Sequence, residues 1–323
     1  MGEALPERYR NVQPPLKFTE EVGALSRDVR LDFREVADWD VPEEVVITVA
    51  PVGAFVDKEQ NPNQPTTPEE IAAAFVASVE AGAAGIHVHA RNEAGRPSAE
   101  ARHFRLIVDP VRKKFGKNVV IDGGCMTGKT FQETITPITE GIYDVGIVNP
   151  TTGLLGRTIR GMLPGTMVAQ AEYYREHGVR PMIDIHDASS IGNAKRYLID
   201  TGVVPRPCMW HLLPGIPGTF HMESPRAMVK GLLYLVESIR EIDDHPFILV
   251  SEAGRPSTYI MALAMLLGLN VRVGMEDVVY KYPHKKQMVK SNVELVQNAV
   301  QVAEALGRRP ATGLEYRRMI GMG

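Results

Sequence analysis

The sequence predicts an α/β fold, a closed (β/α)8 TIM barrel with an N-terminal extension. Three observations lead there. From Val45 onward short β-branched runs alternate with longer segments of helical period, there are eight of each, and no glycine fingerprint follows the first run as it would in a doubly wound nucleotide-binding sheet.

Residues 1–43 are charged and interrupted by proline, with only short apolar runs, so they read as an arm packed on the outside of the domain or on a neighbouring subunit. The barrel domain is assigned to 44–323. Its strands are expected at Val45–Ala50, Gly85–Ala90, Asn118–Asp122, Asp144–Asn149, Arg180–His186, Cys208–Leu213, Phe247–Glu252 and Asn270–Gly274. Helices are expected near 67–82, 98–115, 130–141, 163–177, 189–201, 224–242, 256–268 and 287–306. The first begins at Thr67-Pro68-Glu69-Glu70, a capping box with proline at the first helical position, and ends at Gly82, which can take positive φ. Ser98, Ser224 and Pro256 are read as similar openings.

Composition removes several function classes. Among 323 residues, 36 Lys+Arg stand against 39 Asp+Glu, a net charge of −3 with no basic stripe, so the counterion release that drives nucleic-acid binding has no basis. Cys125 and Cys208 lie too far apart for metal-ligand spacing, which fits a reducing compartment. No apolar leader opens the chain, and no window reaches the roughly 18 apolar residues of a membrane span. A cytoplasmic protein without nucleic-acid or membrane partners is expected.

Active sites of such barrels lie at the C-terminal strand ends. His87-Val-His89 closes the second strand, and alternation points both imidazoles the same way, as a two-histidine metal clamp would require. The alternative is a pair of polar residues satisfied by neighbours. Glu276, after the eighth strand, can supply a third ligand, although acids after strands also serve as caps. Asp277 and Arg272 reach the same mouth, either as a base oriented by a guanidinium or as a structural ion pair. Asp122, Asp184 and Glu252 are further strand-end acids, and His186 and His211 rank behind His87 and His89. The remaining histidines are read as mostly solvated.

One rival motif is complete. Gly123-Gly124-Cys125-Met126-Thr127-Gly128-Lys129-Thr130 fits the P-loop pattern between a strand and a helix. The other reading is a glycine-rich loop at the barrel mouth, where Gly124 and Lys129 can meet a substrate carboxylate or phosphate. Tyr280-Lys281-Tyr282-Pro283-His284-Lys285-Lys286 would suit a phosphorylated cosubstrate such as coenzyme A, or is a solvated loop.

From Val45 to about Thr312 the chain resembles the β-keto acid cleavage enzymes, the family of 3-keto-5-aminohexanoate cleavage enzyme. The matching pieces are Ile47-Thr48 with Gly53-Ala54, Asn61 to Glu70, His87 to Arg91 with Gly95 to Ser98, Asn149, Leu213 to Gly218, Arg272 to Asp277, and Ser291-Asn292. The resemblance implies a divalent metal, usually zinc, on His87, His89 and Glu276, with Asp277 as base oriented by Arg272. It implies acetyl-CoA as cosubstrate, a β-keto acid as substrate, acetoacetate and a new acyl-CoA as products, and a homo-oligomer, a tetramer among the options. Substrate-binding positions are expected at Asp122, Asn149, Phe55 and Gly124. Phe55 stands where the aminohexanoate enzyme carries a glutamate for the substrate amine, Asp122 replaces a serine, and Ile147 a threonine. The expected substrate is therefore a different β-keto acid. Competing readings are a metal-dependent aldolase or hydrolase without coenzyme A, a P-loop nucleotide-binding protein, and a non-catalytic metal-binding barrel.

Overall fold

The computed structural model describes residues 6–12, 34, 36–53, 56–124, 128–251, 253–255 and 257–323. The chain divides into two units, Met1–Asp40 and Val41–Gly323. In the first, the described residues include one turn of 3-10 helix, Glu7–Tyr9, with no buried side chain.

In the second unit the strands, in chain order, are β1 (Glu44–Val45), β2 (Ile47–Val49), β3 (Gly85–Val88), β4 (Val120–Gly123), β5 (Val145–Val148), β6 (Gly153–Leu155), β7 (Thr158–Arg160), β8 (Arg180–Ile185), β9 (Met209–Leu212), β10 (Phe247–Val250), β11 (Asn270–Val273) and β12 (Arg309–Pro310). Eight of them close a parallel barrel in the order β2, β3, β4, β5, β8, β9, β10, β11 and back to β2. The expected eight strands are these eight. Their ladders stop short of the expected ends, so His89, Asn149, His186 and Leu213 lie just beyond the last paired residue, at the barrel's mouth.

The helices are α1 (Pro68–Glu80), α2 (Ala101–Phe115), α3 (Phe131–Thr134), α4 (Thr136–Thr139), α5 (Pro164–Glu176), α6 (Ala188–Ala194, continued by a π-helix over Lys195–Ile199), α7 (Pro225–Arg240), α8 (Ser257–Leu266), α9 (Asn292–Ala305) and α10 (Gly313–Met319). The capping box of α1 forms as read, with Thr67 accepting from Glu70 N and the Glu70 carboxylate returning to Thr67 N. Ser224 caps α7. Ser98 does not cap α2: its hydroxyl hydrogen-bonds buried His103 at 2.7 Å, which also removes His103 from the solvated set. The helix expected over 130–141 is two single turns, because Pro137 has no N–H to continue the ladder. The last long helix starts at Asn292, five residues later than expected, where Ser291 accepts from Glu294 N. Pro256 lies outside the described residues.

Side chains along each barrel strand alternate between two cores. Outward residues such as Ile86, Ile121, Ile183 and Trp210 pack under the helices. Inward residues near the strand starts, Val120, Val145, Met182, Met209 and Phe247, belong to an apolar layer closed from below by Tyr316 in α10 and Ile320 just after it, both fully buried. The next inward layer is polar: Thr48, His87, Asp122, Asp184, His211 and Arg272, all buried, with Ser251 just past β10. Among the described residues, no helix is long and apolar enough to cross a membrane.

Candidate active site

Parallel register decides which polar residues meet. His87 on β3 lies directly across from Asp122 on β4, and its Nδ1 sits 2.6 Å from Asp122 Oδ1. That bond places the proton on Nδ1 and turns the Nε2 lone pair toward His89 Nε2, 3.1 Å away. Glu276 completes the cluster, its oxygens 3.8 Å from His87 Nε2 and 3.4 Å from His89 Nε2. The three ligand atoms lie within 4.8 Å of one another.

The turn after β11 is built to deliver Glu276. Gly274 has φ of +150°, and a Cβ there would strike the Ala50 backbone. Gly53 faces the Glu276 side chain so closely that any Cβ would occupy its space. Asn292 Oδ1 accepts from Met275 N at 2.9 Å, tying the turn to the start of α9. Asp277, next in the chain, accepts from Arg272 on Oδ2 at 2.9 Å, while its Oδ1 and Glu276 Oε2 have no hydrogen-bond partner. Two buried carboxylate oxygens left open beside two imidazole nitrogens suit a divalent cation and a proton-accepting group. The residues present therefore fit a metal.

The electrostatics agree. Burial works to raise the Glu276 pKa, but the charges of His89, Arg272 and His87 outweigh it and hold the carboxyl well below its usual range. His87 is pushed up despite burial, by Glu276 and then Asp122. Asp277 rises to about 6, first through burial and then through the Glu276 charge, against the pull of Arg272.

The opposite wall carries a second carboxylate and two more histidines. Asp184 on β8 pairs in register with His211 on β9, Oδ1 to Nδ1 at 2.7 Å, and His211 Nε2 meets Ser251 Oγ at 2.8 Å. Asp184 Oδ2 takes two further partners at 3.1 Å, His186 Nε2 and Asn149 Nδ2. Despite burial, His186 and His211 hold Asp184 well below the usual carboxylate range. Between the two walls lies a cavity of about 80 Å³, lined by His87, His89, Glu276 and Arg272 at one side and Asp184, His186, His211 and Asn149 at the other.

Gly124 and Asn149 line this cavity, and Ile147 lies beside Gly124. Asp122 does not reach it and stands behind His87. Phe55, Glu252, Cys125, Met126 and Thr127 lie outside the described residues. What is described of the P-loop stretch gives the phosphate reading no support: Lys129 N donates to Glu133 Oε2 and Thr130 caps Glu133, both serving the four-residue α3. The sequence reading missed Arg160, which enters the cavity from the β6–β7 hairpin. Gly156 at the turn between two short apolar runs was the available signal.

A sequence model of beta-keto acid cleavage enzymes matches residues 44–322. The chain belongs to this family. Among its relatives, the 3-keto-5-aminohexanoate cleavage enzyme of Acetoanaerobium sticklandii is 31% identical over 281 residues, 87% of this chain and 99% of that protein. The enzyme of the same name from Fusobacterium nucleatum is 33% identical over 284 residues, 87% and 98% of the two chains. The 3-dehydrocarnitine:acetyl-CoA trimethylamine transferase of Rhizobium meliloti is 27% identical over 305 residues, covering 86% and 96%. Among solved structures, ObcA in ternary complex with a C4-CoA adduct and oxalate superposes with a TM-score of 0.69 at 18% identity, over 80% of this chain and 68% of that one. That likeness shows the shared barrel. In this β-keto acid cleavage enzyme the matched region spans the whole barrel, and the histidines, Glu276, Asp277 and Arg272 all fall inside it.

Proposed function

We propose that the protein condenses a β-keto acid with acetyl-CoA to give acetoacetate and a new acyl-CoA, and that the acid is not 3-keto-5-aminohexanoate. The observation that carries this reading is the meeting of His87, His89 and Glu276 beside the Arg272–Asp277 pair in one cavity. The acetyl-CoA named in several relatives supports the cosubstrate.

Zinc or another divalent ion on His87, His89 and Glu276 would polarise the keto and carboxylate oxygens of the acid and make its C2 proton acidic. Asp277 takes that proton on Oδ1, the oxygen Arg272 leaves open. The enolate attacks the acetyl-CoA carbonyl and expels the thiolate. The thiolate adds to the original keto carbon, the C2–C3 bond breaks to leave the acyl group on sulfur as the new acyl-CoA, and the departing acetoacetate enolate takes its C2 proton back from Asp277. Asp122 keeps the His87 ring in its ligating tautomer, a role behind the metal in place of the substrate contact expected from the sequence. Gly124 and Asn149 bound the keto acid's chain. Phe55 cannot neutralise an ammonium as a carboxylate does, which supports a substrate without the amine. The 280–286 loop would meet the nucleotide end of coenzyme A. Exposed Leu154 and Ile159 support a homo-oligomer, and two cysteines in 323 residues suit the cytoplasm.

The test is mass spectrometry of metal-loaded protein with acetyl-CoA and a panel of β-keto acids. Acetoacetate with a matching acyl-CoA is expected. Asp277→Asn should retain metal and lose turnover by about 100-fold or more. Cleavage that proceeds without acetyl-CoA would replace this reading by an aldol or hydrolytic one.

A further inference from the structure

The wall opposite His87, His89 and Glu276 holds an imidazole that finds hydrogen-bond partners in either protonation state. His186 is buried, 3% exposed, and lines the cavity just past β8. Its Nδ1 lies 3.0 Å from Leu213 O, and a carbonyl can only accept, so that nitrogen keeps its proton. Nε2 lies 2.9 Å from Asn149 Nδ2 and 3.1 Å from Asp184 Oδ2. Thr151 N donates to Asn149 Oδ1 at 2.8 Å, which fixes the amide with its NH2 group toward His186 and Asp184. Neutral His186 therefore accepts from Asn149, and protonated His186 donates to Asp184.

Its neighbour lacks that freedom. His211 is held between Asp184 and Ser251, and burial, then the Arg272 charge, push its pKa down to about 4. Burial also works against a charged His186, but the Asp184 carboxylate outweighs it and raises the pKa, with Arg160 acting the other way. Such a group holds a proton near neutral pH and can give it up. The reaction has one atom with a matching need. Asp277 removes and returns the C2 proton, whereas the coenzyme A sulfur leaves one carbon and waits before it adds to another. A bare thiolate waiting in a buried site beside the Asp184 charge would be both desolvated and repelled.

We propose that His186 is a second proton-transfer residue, which protonates the coenzyme A sulfur as acetyl-CoA is opened and takes that proton back as the thiol adds to the keto carbon. This rests on the β-keto acid reading above. The acetyl C–S bond breaks with its electron pair going to sulfur, which takes the Nε2 proton and leaves a neutral imidazole hydrogen-bonded to Asn149. When sulfur bonds to the keto carbon, the C=O pair moves onto oxygen and the thiol proton returns to Nε2. His186 ends as it began, and the C2 proton stays with Asp277 throughout.

The experiment compares two rates in metal-loaded protein, for 3-oxohexanoate and the other β-keto acids of the panel. One is exchange of the C2 protons with D2O, which needs Asp277 but no sulfur; the other is formation of acyl-CoA from acetyl-CoA. His186→Asn, whose amide keeps an N–H for Leu213 O, should exchange C2 protons within about threefold of the native rate yet form acyl-CoA at least about 100-fold more slowly. His186→Gln should show the same split. Acyl transfer within about tenfold of native in either variant would overturn the assignment. So would an equal loss of both rates at native Tm and metal content, which would make His186 a positioning residue. C2 exchange without acyl-CoA in the native protein would leave no sulfur for His186 to serve. A native protein that exchanges no C2 proton faster than buffer does would sink the keto-acid reading itself, and this assignment with it.

Discussion

Asp122 and Asp184 make the same bond for different ends. Each accepts from the Nδ1 of a buried histidine directly across a parallel ladder, but His87 turns its other nitrogen to His89 and Glu276 and His211 turns its own to Ser251. Asp122→Asn should therefore weaken metal binding by about 10- to 100-fold, read by competition with a metal chelator, because an amide no longer fixes the imidazole's tautomer. Unchanged affinity would show that the ring is oriented by something else. His87 and His89 were legible because strand alternation alone puts them on one face. The partners of Asp122 and Asp184 were not, since register between strands decides them and no single-strand pattern encodes it.

Two turns and a hairpin do most of the positioning. Gly53→Ala should keep the fold by circular dichroism yet lower metal affinity at least about tenfold, since the new Cβ occupies the space of the Glu276 side chain. Native metal content in that variant would mean the turn can yield. Thr67→Ala removes one side of a complete capping box and should cost about 1 kcal/mol in urea denaturation. Both boxes could be read as text, Thr67 to Glu70 and Thr312 to Glu315, but the second opens α10, which the eightfold count gave no reason to seek. The hairpin was hidden differently. Its strands are three residues each, too short for alternation to separate them from a loop.

The barrel as a whole holds its polar layer at a price in acid. Burial, and then the Arg272 charge, push the His211 pKa down to about 4, while the unfolded chain takes up that proton near 6.5. Between those values the unfolded state binds more protons, so this group's contribution falls as pH drops from about 6.5 toward 4, by up to about 3 kcal/mol. Thermal melts across that range should show His211→Gln losing less stability than the native protein; parallel curves would remove His211 as the cause. Beneath the polar layer, the strand starts and α10 seal the barrel with apolar side chains. The vessel is thus blind at one end. Two reactants must come in and two products go out through a single doorway, so a coenzyme-sized product lingering there shuts out the next keto acid, and the pace of clearing the entrance becomes part of the enzyme's speed.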